Sequence, residues 1–292
     1  MEVNNGRRNA EMKSEHIPDW TKLDLDCLVD IFSRLSIEQR CVAPMLVCKT
    51  WMNVCKDPLL NSVFDLEVWF LSSTETSNQW TPKFSEKVDS ILMSVAEWSK
   101  GSLKVIRVRH CTDQALLYVA DRCPNLEVLW VKHCPKVTDE SMGKIALKCP
   151  KIMELDISSS YALSRECMGV FGKNCKNLQI VKKNYVYPTE VSRFESHENY
   201  MENLPIFTLG NIDAYVISRY MQHVKHLELR FSTMTDKGFA SICKRCVNLE
   251  YLDLSGSPNL TMDGVINGIS SLKNLKEIKK PNSTAFFFID LL

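Results

Sequence analysis

Residues 123–131 read CPNLEVLWV, residues 149–157 read CPKIMELDI and residues 175–183 read CKNLQIVKK. Their opening cysteines, Cys123, Cys149 and Cys175, stand 26 residues apart at each step, and each copy follows the spacing Cys-x-x-apolar-x-x-apolar. The phrase returns as MQHVKHLEL from Met221, CVNLEYLDL from Cys246 and LKNLKEI from Leu272, in steps of 25 and 26 residues. Leu103, Ile106 and Val108 fit a shortened copy upstream, which makes seven strand phrases. Self-similarity at a fixed period of this length is the mark of a repeat architecture.

Between the phrases stand Thr112-Asp113, Thr138-Asp139 and Thr235-Asp236, helix-start signals followed by apolar residues at helical spacing such as Met142, Ile145 and Ala146. Each unit is therefore a strand, a turn and a helix. One such unit cannot bury its own apolar face, so neighbours stack into a curved solenoid with strands inside the curve and helices outside. The opening cysteine, the Leu-x-x-Leu-x-Leu spacing and the 26-residue step resemble the cysteine-containing leucine-rich repeat. Two departures interrupt the pattern. The step from Cys175 to Met221 is 46 residues, which places an insertion around 185–207, and the last residues, 281–292, end in an apolar tail without a helical repeat.

From Trp20 to Leu60 no repeat is found. Leu28, Ile31, Phe32 and Leu35 form a helical stripe, a second helix is expected from Glu38 through Met45 despite Pro44, and a third around Val47, Trp51 and Val54. The wording of this stretch, with Leu23, Cys27-Leu28, Ile31-Phe32, Leu35 and then Val47-Cys48-Lys49-x-Trp51, resembles the F-box family. One departure is Asp24, where that family usually has a proline. The resemblance implies docking to a Skp-type adaptor and, through it, to cullin and a RING subunit, with Leu23, Leu28, Ile31, Phe32, Leu35, Val47 and Trp51 as the adaptor-binding residues. From the pattern alone the stripe reads equally as interior packing, and Trp51 as a core anchor of the small module. With FDLEVWF, WTPKF and RCPNLEVLWVKHC added, the chain resembles plant F-box/leucine-rich-repeat proteins of the Skp-interacting-partner type.

The expected organisation is α+β: a polar segment at 1–18, a small helical F-box at 19–62, a linker and solenoid cap at 63–101, the α/β solenoid at 102–280, and the tail. Trp69, Phe70, Trp80 and Trp98 make the linker too apolar for a free tether, so it is expected to pack on the first repeat. A net charge of +1 supplies no global field for nucleic acid or a membrane surface, and the apolar run Ala285 to Ile289 is too short to span a bilayer. Twelve cysteines spread through a large chain without an export signal read as reduced thiols of an intracellular protein, nuclear or cytoplasmic.

Side chains alternate along a strand, so Leu129 and Val131 facing inward would turn Val128, Trp130 and Lys132 to the concave side. The same register offers Arg107, Arg109, Glu154, Asp156, Lys182, Glu228, Arg230, Tyr251 and Asp253. Arg107, Arg109, Trp130, Lys132, Asp156, Arg230 and Tyr251 are the expected target-binding residues. Mixed charge with aromatics suits a protein surface, and Trp130 reads either as a hot spot or as a ring covered by its neighbours. In the insertion, Tyr185, Tyr187 and Phe194 among Glu190, Glu195, Glu198 and Glu202 read as a recognition lid or as a plain surface loop.

No Gly-rich phosphate loop or nucleophile-base pair is found, Cys243 and Cys246 fall at packing positions, and His110-Cys111 with His133-Cys134 is expected to have each cysteine inside a turn and each histidine outward. The reading is a non-catalytic subunit without cofactor that brings a target protein of unknown identity to a ubiquitin ligase for proteasomal degradation. A non-degradative scaffold and a ligand-sensing receptor are the alternatives on the same fold.

Overall fold

The computed structural model describes Trp20 and residues 23–72, 81–185 and 210–281. The polar segment 1–18, Trp80, the insertion beyond Tyr185 and nearly all of the tail lie outside the described residues. No helix among the described residues is long and apolar enough to cross a membrane.

Four short helices open the chain: α1 (Leu25–Ser33), α2 (Ile37–Val42), α3 (Pro44–Val47) and α4 (Lys49–Cys55). Asp24 is the N-cap of α1, its carboxylate accepting a hydrogen bond from Asp26 N at 2.9 Å, so this unusual residue has a local role in starting the helix. Ser36 and Gln39 form a reciprocal capping box on α2. The single helix expected from Glu38 to Met45 is broken. Pro44 has no N–H to continue α2 and instead opens α3 at its first turn, where that donor has no partner to lose. Leu28, Phe32, Val54, Cys55 and Leu60 form the core of this module, and Trp51 packs edge-on against Phe32 with centroids 5.2 Å apart.

Eight strands follow in one parallel sheet whose spatial order is the chain order: β1 (Val63–Asp65), β2 (Val105–Arg109), β3 (Val128–Lys132), β4 (Glu154–Asp156), β5 (Ile180–Lys182), β6 (His226–Glu228), β7 (Tyr251–Asp253) and β8 (Glu277–Lys279). Seven helices connect them: α6 (Pro82–Trp98), α7 (Asp113–Arg122), α8 (Asp139–Lys148), α9 (Arg165–Asn174), α10 (Gly210–Tyr220), α11 (Asp236–Arg245) and α12 (Met262–Ile269), while α5 (Glu67–Ser72) follows β1 directly. The seven phrases become β2 to β8. The stretch read as a linker contributes the eighth strand, β1, in register with β2 through Val63↔Val105 and Phe64↔Ile106, and α6 as its helix.

The inward ladder Phe64, Ile106, Leu129, Leu155, Val181, Leu227 and Leu252 is fully buried between sheet and helices. Each opening cysteine is the C-cap of the helix before it: Cys123 N donates to Val119 O at 2.9 Å, and Cys149, Cys175 and Cys246 donate to Ile145, Phe171 and Ile242 carbonyls at 2.8 Å. Burial pushes the Cys123 thiol up to about 11 and those of Cys149, Cys175 and Cys246 up to about 12, so these sulfurs are protonated packing groups and poor nucleophiles.

A second ladder joins the helices. The first acidic residue of one helix accepts from the N-cap of the next: Asp113 takes Thr138 N at 2.8 Å and Thr138 Oγ1 at 2.7 Å, Asp139 takes Ser164, and Asp236 takes Thr261. Asp89 of α6 does the same for Thr112, and Asn211 for Thr235. Thr112-Asp113 and Thr138-Asp139 thus do two things at once, the threonine capping its own helix and the aspartate latching the next repeat, whereas Thr235 makes no side-chain cap and Asp236 supplies only the latch.

The sheet continues unbroken across the insertion, with Ile180↔His226 pairing β5 to β6. The helices close up as well, because Gly172 of α9 leaves room for α10: a Cβ there would stand 2.7 Å from Tyr220 Cβ and 2.8 Å from its carbonyl oxygen. Tyr185 belongs to the array rather than to the insertion. Its N–H donates to Arg230 O at 3.0 Å and its hydroxyl to Asp213 Oδ2 at 3.1 Å, beside the buried pair Lys183–Asp213 at 2.9 Å.

Candidate interaction surfaces

The helical module divides its apolar residues between inside and outside. Leu28 and Phe32 are interior, while Leu23, Leu35 and Trp51 are partly buried against the same cluster. Ile31 and Val47 face solvent, joined by three residues the sequence pattern did not single out, Leu25, Val42 and Leu46, the last 81% exposed. Leu46 and Val42 flank Pro44, and both are turned out to solvent where the helix breaks there. Five exposed apolar side chains thus fall on three short helices of one small module, the kind of exposure that marks protein contact where such side chains adjoin.

On the solenoid, β2 and β3 alternate as the period of two requires, with Arg107, Arg109, Val128, Trp130 and Lys132 half-buried and the residues between them buried. Parallel pairing sets Trp130 between Arg107 and Asp156, and Arg109 beside Lys132. Trp130 is covered from three strands: the Arg107 guanidinium lies 4.5 Å from the ring centroid, Lys132 Nζ 4.8 Å and Lys182 Nζ 5.0 Å, and the indole Nε1 donates to Glu154 Oε1 at 2.9 Å. Cations on a tryptophan face gain from the ring quadrupole. The ring is therefore clamped in place.

Glu67, at the start of α5, holds the cationic end of this cluster. It receives Arg109 through two bonds of 3.0 Å and Lys132 Nζ at 2.7 Å, while Asp65 pairs with Arg107 at 2.7 Å. Burial alone would raise the Glu67 carboxyl, but the hydrogen bonds from Arg109 and Lys132 outweigh it and hold the group below the usual carboxylate range.

Further along, Lys182 bridges Glu154 at 3.8 Å and Glu228 at 3.5 Å. Glu228 also takes His226 Nε2 at 2.8 Å and Asn184 Nδ2 at 2.9 Å, and against the opposing effect of burial these partners depress it to about 2. Tyr251 stacks on His226 with centroids 4.1 Å apart. Arg230 stands 4.0 Å from Asp253 and its backbone N–H is tied to Asn184. Asp156 and Asp253 are themselves buried, each accepting from the N–H two residues on, at 3.0 Å, so they shape the turn after their strand and present little to solvent. The carboxylates therefore form the floor of the concave face, with the cations and rings above them.

The two His-Cys pairs sit in the turns after β2 and β3. His110 and His133 adopt left-handed backbone with φ of 59° and 50°, and Cys111 and Cys134 are buried with their sulfurs 3.6 Å apart. The expected outward histidine is corrected at His110, which is buried edge-on against Phe70 and Phe84, at 5.8 and 6.0 Å. Burial first, then the nearby His133 and Arg109, lower its pKa to about 3. The neutral imidazole is a packing group.

Comparison with known proteins agrees with both modules. The F-box domain model matches residues 20–62 and the Leucine Rich repeat model residues 220–243. The chain is 57% identical over 288 residues to F-box/LRR-repeat protein 19 of Arabidopsis thaliana, covering 97% of this chain and 94% of that protein. It is 45% identical over 264 residues to F-box protein SKIP1 of the same plant, covering 90% and 87%. With four short helices ahead of a parallel leucine-rich-repeat sheet, and similarity running along nearly the whole length of such relatives, the chain belongs to the plant F-box/leucine-rich-repeat proteins.

Proposed function

We propose that the chain is the substrate-recognition subunit of a Skp–cullin–F-box ubiquitin ligase. The helical module docks the Skp-type adaptor, which joins it to cullin and the RING subunit, and the concave face around Trp130 holds the target protein whose lysines receive ubiquitin. No residue of the chain carries the transfer chemistry; its contribution is to raise the effective concentration of the target beside the charged enzyme. The observation that carries this reading is the exposure of apolar side chains on α1 to α3, in a module fixed to a solenoid with a separate aromatic-cationic face. The setting that goes with it is nuclear or cytoplasmic.

The test is co-purification with a Skp-type adaptor and cullin. Because Phe32 is core, Leu46→Asp is the informative substitution: it should abolish adaptor binding with the circular dichroism spectrum unchanged, whereas Trp130→Ala should keep adaptor binding and lose the target. A folded wild-type chain that does not bind the adaptor would remove this reading in favour of a scaffold.

A further inference from the structure

The concave face does not hold all its cations equally. At the β1 to β3 end they are tied down: Arg107 meets Asp65 at 2.7 Å, Lys132 meets Glu67 at 2.7 Å, and Arg109 meets Glu67 through two bonds of 3.0 Å. At the β6 to β8 end, Arg230 and Lys279 share one carboxylate. They reach the same oxygen, Asp253 Oδ2, only at 4.0 and 3.7 Å, beyond hydrogen-bond distance. The other oxygen of Asp253 is taken by Ser255 N at 3.0 Å, and Arg230 Nε has no hydrogen-bond partner. Exposure separates the two signs: the Asp253 side chain is 3% exposed, against 34% for Arg230 and 50% for Lys279. Two cations thus converge over one sunken anion. Of the other carboxylates on β6 to β8, Glu228 is engaged by His226, Asn184 and Lys182, and Glu277 pairs in register with Tyr251, about 7 Å back along the strand from Lys279.

Beside this pair of cations lies a flat ring surface. Tyr251, two residues before Asp253, stacks on His226, and Lys279 Nζ stands 5.7 Å from its ring centroid. We infer that this end of the concave face receives an acidic side chain of the target protein. Its carboxylate seats between Arg230 and Lys279, above Asp253, while an adjoining apolar side chain of the target lies on the stacked rings. Charge complementarity selects this occupant. A guanidinium offers paired donors that match a carboxylate, and the ammonium of Lys279 adds a second charge, whereas a basic or neutral segment would leave both cations as loosely matched as they are. The inference rests on the reading that the concave face holds the target, and it adds a contact four strand spacings, about 19 Å, from Trp130.

The test uses the isotope-labelled full chain and three synthetic peptides that differ only at two positions flanking a leucine, which carry glutamate, glutamine or phosphoserine. In an NMR titration the glutamate peptide should shift the amide signals of Arg230, Asp253 and Lys279 and bind about tenfold tighter than the glutamine peptide. Arg230→Met and Lys279→Met should each weaken it by about the same factor, as for loss of one charge-assisted contact. Lys244→Met, at an exposed cation on α11, should not. Both concave-face variants should keep the circular dichroism spectrum and adaptor binding, because one cation still faces Asp253 when the other is lost. Absent binding, equal binding of the glutamate and glutamine peptides, indifference to both substitutions, or binding of the phosphoserine peptide alone would each overturn the inference. So would a glutamate peptide that binds only after Glu190, Glu195, Glu198 and Glu202 are changed to glutamine, since the chain's own insertion would then be the occupant. If the wild-type chain fails to bind the adaptor, the functional reading falls on that measurement; if it binds the adaptor and does not distinguish glutamate from glutamine, only this inference falls.

Discussion

Replacing Glu67 by Gln probes the joint on which the concave face depends. The substitution keeps the shape and removes the charge that accepts two bonds from Arg109 and one from Lys132, all within 3.0 Å, at a side chain only 9% exposed. Removing one member of a buried pair costs about 3–5 kcal/mol in general. Arg109 and Lys132 retain 23% and 16% of their side-chain exposure and can rehydrate, and Gln can still accept one bond, so the expected loss is reduced to about 2–3 kcal/mol. For a chain of this size that is a fall of about 4–10 °C in melting temperature. The sign with pH follows from the lowered Glu67 pKa. A carboxylate depressed in the folded state stabilises above its unfolded value, about 4.3, and that contribution disappears as pH falls through the folded value. Urea unfolding of wild type and Glu67→Gln at pH 7, repeated at steps down to acid, should show a gap that closes below about pH 4.3. Equal stability at pH 7, or a gap of constant size at every pH, would refute the assignment of Glu67 as the anchor of the cationic cluster.

Gly172→Ala should destabilise by about 1–3 kcal/mol even though alanine is the better helix former, because the new methyl meets the Tyr220 backbone; equal stability in urea would show that α9 and α10 can separate freely. His110 is held neutral, with a folded pKa of about 3 against an unfolded value near 6.5, so it favours the folded chain at neutral pH and that advantage is lost as pH falls through this window. His110→Asn, which suits the left-handed backbone at φ 59°, should therefore lose less stability between pH 7 and 5 than wild type, and parallel profiles would contradict it. The loss of adaptor binding in Leu46→Asp completes the set.

The solenoid was legible because a repeated phrase shows its period regardless of what each copy contacts. Strand β1 was not, and the reason is one residue. Its register aligns Phe64 with Ile106 and Leu129, which puts buried Asn61 where the other copies have Leu103 and Leu126. Asn61 serves the junction instead, donating to Cys55 O at 2.9 Å and Asp57 O at 2.8 Å. On the helical module the apolar stripe was visible in the sequence, but periodicity cannot say which of its members a short helix buries and which it leaves open. Leu28 and Phe32 went inside, while Leu46 beside Pro44 stayed out. Arg40, buried on α2, had no signal at all, since a lone arginine on a helix ordinarily reads as a solvated face. The clamp on Trp130 also needed the fold, because its cations arrive from β2, β3 and β5, and only the parallel register brings them to one ring.

The same junction decides how the two surfaces can work together. Ser102 Oγ donates to Pro58 O at 2.9 Å and Lys104 N to Ser62 O at 2.8 Å, and Ile37 of α2 is buried in the solenoid core, so the helical module is packed into the first repeat. Leu59 and Val63 wall a groove beside Arg40 of the helical module, Phe64 enters the sheet core, and Asp65 and Glu67 anchor the cations around Trp130. Fewer than ten consecutive residues thus connect the groove beside the helical module, the edge of the sheet and the proposed target face. A flexible tether would spread the target over many positions and dilute it relative to the charged enzyme, whereas a packed joint holds it at one distance and one orientation. On the proposed reading, in which the chain acts by placing a target, the stiffness of this short segment determines how effective the placement is.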